Sequence, residues 1–125
     1  MVGLDLTHQA LADESFRRRV RDLGTPLAAF VEEFLDFFAG AYARRGFSAP
    51  AVHDLCAVAA VLPPGVMTYR DAFVTVETAG RWTTGMTVTD FDGSLGREPN
   101  TSVAVTLDRE RLWDMTVGAL ATLGG

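Results

Sequence analysis

The fold is decided by residues 53–62, HDLCAVAAVL, in which two polar side chains precede eight apolar ones. The segment is far too short to span a bilayer, but it is long enough for a helix of almost three turns. Because it is apolar nearly all round, it predicts a helix from about His53 to Leu62 that is buried by its neighbours. Pro63, Pro64 and Gly65 should end this helix firmly.

Two further helices are predicted upstream of this segment. Residues 13–23 predict an Arg-rich helix, and Gly24 suits its C-terminal cap. Thr25 is a good N-cap for the next helix, with Pro26 favoured at its first position. Apolar residues then recur at spacings of three and four over residues 27–42, which predicts an amphipathic helix of about four to five turns.

The first residues alternate in the manner of a strand. Residues 2–7, VGLDLT, predict a short strand or its end. A strand this close to the first residue would lack neighbours, so we expect the chain to be a segment of a larger domain. Asp5, Thr7 and His8 lie where this strand would end, and ligands gather at the carboxyl ends of strands in open α/β sheets. Turn and capping roles are the alternative for these three residues.

The second half of the chain changes to a period of two. Residues 73–78 and 83–89 predict two strands of an antiparallel hairpin, and residues 102–107 predict a third strand. Asp108 suits the N-cap of a closing helix. The expected fold class is α/β, with helices beside a small mixed or antiparallel set of strands, and we treat residues 1–125 as a single unit.

Composition excludes several classes of protein. The 125 residues are 48% hydrophobic and 22% charged, as in ordinary globular domains. The net charge is −5 and all 11 basic residues are Arg, so the chain is a poor electrostatic match for nucleic acid. The sequence shows no secretion signal and no apolar stretch that approaches a bilayer span. Cys56 is the only cysteine, which fits a reducing compartment, and we expect a cytoplasmic location.

The pair His53-Asp54 is the strongest candidate for chemistry. It follows a loop and opens the apolar helix, where free N–H groups and the helix dipole stabilise a carboxylate. One interpretation makes Asp54 a helix N-cap and His53 a partly exposed loop residue. The other makes His53 an acid or base and Asp54 a ligand for a hard cation.

An aromatic stripe on the long helix has two interpretations as well. Phe37, Phe38 and Tyr42 recur at helical spacing, which is typical of core residues. The same side chains could stack on a planar ligand such as a nucleobase.

Taken together, these segments resemble the nucleoside hydrolases. The resemblance covers almost the whole chain in order, and two of its motifs are specific together: VHDLCAVA at residues 52–59 and TGMTV at residues 84–88. The other matching segments are residues 3–11, residues 35–38 with Tyr42, and residues 107–113 with the closing helix.

Members of this family cleave the N-glycosidic bond of ribonucleosides with water. By resemblance, Asp54 is a calcium ligand and His53 is the general acid that helps to protonate the departing base. Tyr42 is one of the aromatic residues that close over the base, and Phe38 stands where some relatives have a second Tyr. Leu55 replaces the Pro that usually follows His-Asp.

Other parts of the family pattern are absent from these residues. The Asp-rich N-terminal segment that supplies most calcium ligands, and the Asn and Glu side chains that hold ribose, do not occur here. One carboxylate is far short of the 6–8 oxygen ligands that calcium prefers. We therefore expect the C-terminal part of the open-sheet hydrolase fold, inactive alone, with a natural truncation, a split gene or an engineered fragment as possible origins.

Two other functions compete with that of an incomplete enzyme. Strand edges and apolar helix faces left open by a missing half would favour a non-catalytic module that self-associates. A weak nucleoside-binding fragment is the third interpretation. The expected partners are a nucleoside such as inosine or uridine, together with a complementing N-terminal segment or a second copy of the chain.

Overall fold

The computed structural model describes residues 1–62 and 65–125. Pro63 and Pro64, which were expected to end the apolar helix, lie outside the described residues. The elements in chain order are α1 (Leu4–Thr7), α2 (Glu14–Arg21), α3 (Pro26–Ala43), α4 (His53–Ala59), β1 (Met67–Val76), β2 (Thr87–Asp90), β3 (Thr101–Leu107) and α5 (Arg109–Gly124). No helix in these two ranges is long and apolar enough to cross a membrane.

The capping residues predicted for the two longest helices are confirmed. Thr25 accepts a hydrogen bond from the Ala28 backbone N–H at 3.1 Å, and Pro26 is the first residue of α3. Asp108 accepts one from the Arg111 backbone N–H at 3.1 Å, which starts α5. Side-chain oxygens here satisfy N–H groups that the first turn of a helix leaves unpaired.

The strands form an antiparallel sheet in the order β2-β1-β3. This confirms the expected hairpin between β1 and β2, in which Phe73 pairs with Asp90 and Val76 with Thr87. The second strand begins at Thr87 and not at Thr83, because residues 81–85 form a turn. Gly85 closes that turn with a φ of 90°, in the left-handed region that favours glycine.

The strand predicted over residues 2–7 is wrong. Residues 4–7 form the short helix α1, which buries Leu6 and exposes Leu4. Met1 forms the backbone hydrogen bonds to the sheet: its amino group donates to the Ser102 carbonyl at 2.7 Å, and the Ala104 N–H donates to the Met1 carbonyl at 2.9 Å. An alternation this short does not distinguish a strand from a single helical turn, and in the turn only one of the two leucines, Leu6, enters the core.

The apolar helix α4 is less buried than its composition predicts, and it ends three residues early, at Ala59. Cys56 and Ala59 are buried, whereas Val58 is 53% exposed and Val61, beyond the helix, is 81% exposed. The core lies on the other side, between α1, α2, α5 and the sheet, where the Trp113 ring stacks on Phe16 at 4.1 Å. One face of the α4 segment is therefore both apolar and open to solvent.

Candidate functional site

His53 lies between two hydroxyl groups supplied by two other helices. Its Nδ1 atom is 2.6 Å from the Thr7 Oγ1 atom at the end of α1. Its Nε2 atom is 2.7 Å from the Tyr42 Oη atom near the end of α3. Both ring nitrogens are thus engaged, and the plane of the imidazole is fixed by contacts with elements that come before it in the sequence.

Aromatic rings pack around this histidine. The His8 ring meets the His53 ring edge-on, with centroids 5.3 Å apart. Phe47 lies against both His8, at 5.1 Å, and Tyr42, at 5.4 Å. Phe47, from the loop between α3 and α4, therefore packs against the two aromatic neighbours of His53.

The environment of His53 lowers the pKa of its ring. Partial burial is the main cause, because it penalises the charged imidazolium, and the nearby His8 acts in the same direction. Asp54 opposes both effects. A neutral imidazole with one donor and one acceptor nitrogen is the dominant form at neutral pH, and it can pass a proton to or from a ligand.

Asp54 is the second residue of α4 and is exposed to solvent. The N-cap of this helix is Val52 and not Asp54, so the interpretation of Asp54 as an N-cap is wrong. The carboxylate faces a cleft of about 560 Å³ whose wall also contains Asp5, Thr7 and Thr89. Its position leaves its oxygens available to a ligand in that cleft.

Asp54 does not form a metal site with the residues around it. Within residues 1–62 and 65–125, no group of three or more His, Cys, Asp or Glu side chains is arranged to hold a metal ion. Calcium prefers 6–8 oxygen ligands, of which Asp54 can supply one or two. The described residues alone therefore do not fit a calcium ion.

The aromatic stripe of α3 divides between a second cleft and the outer surface. Phe38 and Tyr42 line a cleft of about 250 Å³, together with Phe34, which the sequence interpretation missed. The rings of Phe34 and Phe38 are 4.7 Å apart. Phe37 is 79% exposed and does not line this cleft. The spacing Phe34, Phe38, Tyr42, four residues each time, would have identified the correct face.

The two clefts share a wall. His53 and Asp54 line both of them, so the first turn of α4 separates a polar cleft with two carboxylates from an aromatic cleft. A ligand with a planar apolar part and a polar part could place one part on each side of this turn. Its connecting bond would then lie beside the His53 ring.

The sequence matches a known family along most of its length. Residues 1–114 match the family described as inosine-uridine preferring nucleoside hydrolase. The chain is 46% identical over 124 residues to the inosine-uridine preferring nucleoside hydrolase of Leishmania major. It is 40% identical over 123 residues to the pyrimidine-specific ribonucleoside hydrolase RihA of Enterobacter sp. (strain 638).

Solved structures of nucleoside hydrolases also resemble the chain. The purine-preferring ribonucleoside hydrolase from Gardnerella vaginalis aligns with 99% of the chain at a TM-score of 0.80 and 28% identity. The plant nucleoside hydrolase PpNRh1 aligns with 95% of the chain at a TM-score of 0.69 and 28% identity. The chain spans about 40% of the length of the two curated relatives and of both of these structures.

Proposed function

Because the chain belongs to the inosine-uridine preferring nucleoside hydrolase family, we propose that it forms one side of a site that hydrolyses ribonucleosides to base and ribose. The observation that carries this proposal is the position of His53, which is held by two hydroxyls at the boundary between an aromatic and a carboxylate-lined cleft. The activities for which the relatives are named support the same reaction class.

The aromatic cleft takes the base in this proposal. Phe34 and Phe38 offer ring faces to a planar heterocycle, and such stacking tolerates both purines and pyrimidines. The ribose then extends past the first turn of α4 towards Asp54 and the larger cleft.

His53 serves the departing base. When the bond between C1′ and the base nitrogen breaks, its electron pair goes to the base, which is a poor leaving group until it is protonated. His53, hydrogen-bonded to Tyr42, is the described group best placed to supply that proton as a general acid. Water adds its oxygen to C1′ to give ribose, and its other proton passes to the water-activating base, which comes from outside this chain.

Asp54 contributes to calcium only as part of a larger ligand set. We assign it as one carboxylate ligand, with the remaining ligands and the water-activating base supplied by residues outside this chain. A complementing segment of a nucleoside hydrolase or a second copy of this chain is the candidate source. The 125-residue chain alone is expected to show no measurable calcium affinity by calorimetry.

Complementation tests this proposal directly. Ribose release from inosine and uridine would be measured by a reducing-sugar assay, with calcium and with chelator. The samples are the chain alone and the chain mixed with the part of the Leishmania major relative that it does not match. We expect release only in the mixture and only with calcium.

Two variants make the assay specific to the site. His53→Ala should abolish release by the mixture, whereas Phe37→Ala, on the same helix as Tyr42 but outside the cleft, should retain it. Release by the chain alone would contradict the incomplete-site proposal. If the two pieces fold and bind to each other and the mixture still releases no ribose, that result would contradict the proposed activity.

Self-association is the second candidate function. Val58 on α4 and Val61 and Leu62 just after it are exposed apolar side chains, and such surfaces favour contacts with another chain. Light scattering on the purified chain should then show a homo-oligomer, and Val61→Asp should dissociate it. A folded monomer at high concentration would eliminate this candidate.

A further inference from the structure

Thr7 has a contact that the proposed chemistry does not use. It is a nearly fully buried threonine, 4% exposed, at the last position of α1. Its hydroxyl oxygen is 2.6 Å from the His53 Nδ1 atom and 3.4 Å from the Leu4 carbonyl oxygen. This hydroxyl has one proton, which can point towards only one of these two acceptors.

The direction of that proton fixes the tautomer of His53. A threonine in a helix commonly donates to the carbonyl three or four residues earlier, which here is the Leu4 carbonyl. The Thr7 oxygen then presents lone pairs to Nδ1, so Nδ1 must carry the ring proton. The other nitrogen, Nε2, is left as an acceptor for the Tyr42 hydroxyl.

This arrangement satisfies every donor in the chain of groups. Tyr42 donates to Nε2, Nδ1 donates to Thr7, and Thr7 donates to the Leu4 carbonyl, and hydrogen bonds that run in one direction strengthen one another. The reversed direction leaves the contact between Thr7 and Leu4 without a hydrogen bond. It also takes the Tyr42 proton away from the ring.

The position of Thr7 is held firmly enough for this role. Leu6, its neighbour in α1, is fully buried in the core. Before α1, Met1 is fastened to β3 by backbone hydrogen bonds to Ser102 and Ala104. The hydroxyl therefore sits on a turn that is anchored by the core at Leu6 and by β3 at Met1, and a partner of a functional histidine acts through this kind of fixed contact.

We propose that Thr7 is a positioning residue that holds His53 in the Nδ1–H tautomer and presents the Nε2 lone pair to Tyr42 and the aromatic cleft. The tautomer itself is a property of this chain, whereas its use in catalysis rests on the proposed function. To act as a general acid, Nε2 must first take up a proton to form the imidazolium and then give it to the base, so Nδ1 keeps its proton throughout and Nε2 has to be the nitrogen on the side of the aromatic cleft.

Nitrogen NMR on the 125-residue chain tests this inference without any assay of activity. In a neutral histidine ring, the nitrogen that carries the proton and the nitrogen that does not have well-separated ¹⁵N chemical shifts. The spectrum of the labelled chain therefore shows which tautomer is present. The spectra would be recorded at a pH where the ring is neutral, and His8→Gln would assign the signals, since the chain has only two histidines. We expect Nδ1 to be protonated and Nε2 to be unprotonated.

Three variants separate Thr7 from Tyr42. Thr7→Val, which keeps the shape and removes the hydroxyl, should lose the Nδ1–H signal pattern in favour of Nε2–H. Thr7→Ser should restore the wild-type pattern. Tyr42→Phe should keep Nδ1–H, because Thr7 alone sets it. A backbone amide spectrum of each variant checks that it is folded.

The outcomes also distinguish this inference from the proposed function. An Nε2–H tautomer in the wild type, or an unchanged tautomer in folded Thr7→Val, would overturn the role of Thr7. If Thr7→Val fails to fold, a switch to Nε2–H in Tyr42→Phe would overturn it equally. An inactive complemented mixture with the expected tautomers would count against the hydrolase proposal and leave the role of Thr7 standing.

Discussion

The pairing between α2 and α3 makes Glu32 the most informative stability target in the chain. Its carboxylate accepts hydrogen bonds from Arg17 Nη2 and Arg21 Nη1, both at 2.9 Å, and from Arg17 Nε at 3.2 Å. The Glu32 side chain is 12% exposed, and that of Arg17 is 17% exposed. Glu32→Gln therefore removes a charge from a largely desolvated cluster and leaves Arg17 partly unpaired.

The loss can be estimated from these contacts. Breaking a fully buried ion pair by removing one partner costs about 3–5 kcal/mol, and the remaining exposure together with Asp36 reduces that, so we expect a loss of about 2–3 kcal/mol. Asp36→Asn is the matched control, because Asp36 pairs with the same Arg17 at 2.6 Å but is 70% exposed. Its loss should be no more than about 0.5 kcal/mol, as for exposed ion pairs.

Urea unfolding at neutral pH measures both variants. The midpoint should fall much further for Glu32→Gln than for Asp36→Asn, with the slope of the transition unchanged. Equal, small losses would refute the reasoning, because they would show that the burial of Glu32 does not strengthen its pairing. A change in slope would mean that the variant alters how much surface unfolding exposes.

Two further predictions concern the caps of the helices. Asp108→Ala removes the side-chain acceptor at the start of α5 and should cost about 1 kcal/mol in urea unfolding, whereas Glu110→Gln, in the same first turn, should cost much less. A hydrogen bond from Ser15 is the main cause that lowers the pKa of Asp13 in the folded chain. Its contribution to stability is therefore complete above the ordinary carboxyl pKa of about 4 and is lost as the pH falls through the lower folded value. Asp13→Asn, which still caps α2 but does not titrate, should lose stability less steeply than the wild type over that acidic range, and parallel curves would contradict the assignment.

Elements with chemically distinct ends were predictable from the sequence. Thr25-Pro26 and Asp108 mark helix starts because their side chains or fixed φ angles satisfy a requirement of the first turn. The hairpin was predictable because residues 73–78 and 83–89 alternate over enough residues to separate a period of two from one of 3.6, although the second strand begins only at Thr87. Local chemistry decided these elements, so no knowledge of the rest of the fold was needed.

Elements whose state depends on distant partners were not predictable in the same way. Residues 4–7 alternate correctly for a strand, but their backbone curls into α1 as Leu6 enters the core. The composition of α4 predicted burial on all sides, and the structure covers only the side with Cys56 and Ala59. An apolar composition indicates that a helix face can be buried, but the packing of the other elements determines whether it is.

The candidate site was also predictable only in part: single residues could be singled out, but contacts between distant segments could not. The sequence identified His53, Asp54, Phe38 and Tyr42 individually, because each combines a reactive or planar side chain with a position on a predicted helix. It gave no reason to connect His53 with Thr7, because 46 residues separate them and the wrong state had been predicted for the segment that carries Thr7.

The contact between α1 and α4 connects residues 2–7, which were wrongly predicted to be a strand, with the candidate site. If residues 2–7 were a strand, successive side chains would point to opposite faces, and the helical turn that brings the Thr7 hydroxyl within reach of the Leu4 carbonyl would be absent. The helical turn instead places the hydroxyl between this carbonyl and the His53 ring. The segment whose state sequence periodicity predicted wrongly thus carries the hydroxyl that contacts the candidate general acid, so the state of α1 bears on the proposed chemistry as well as on the fold.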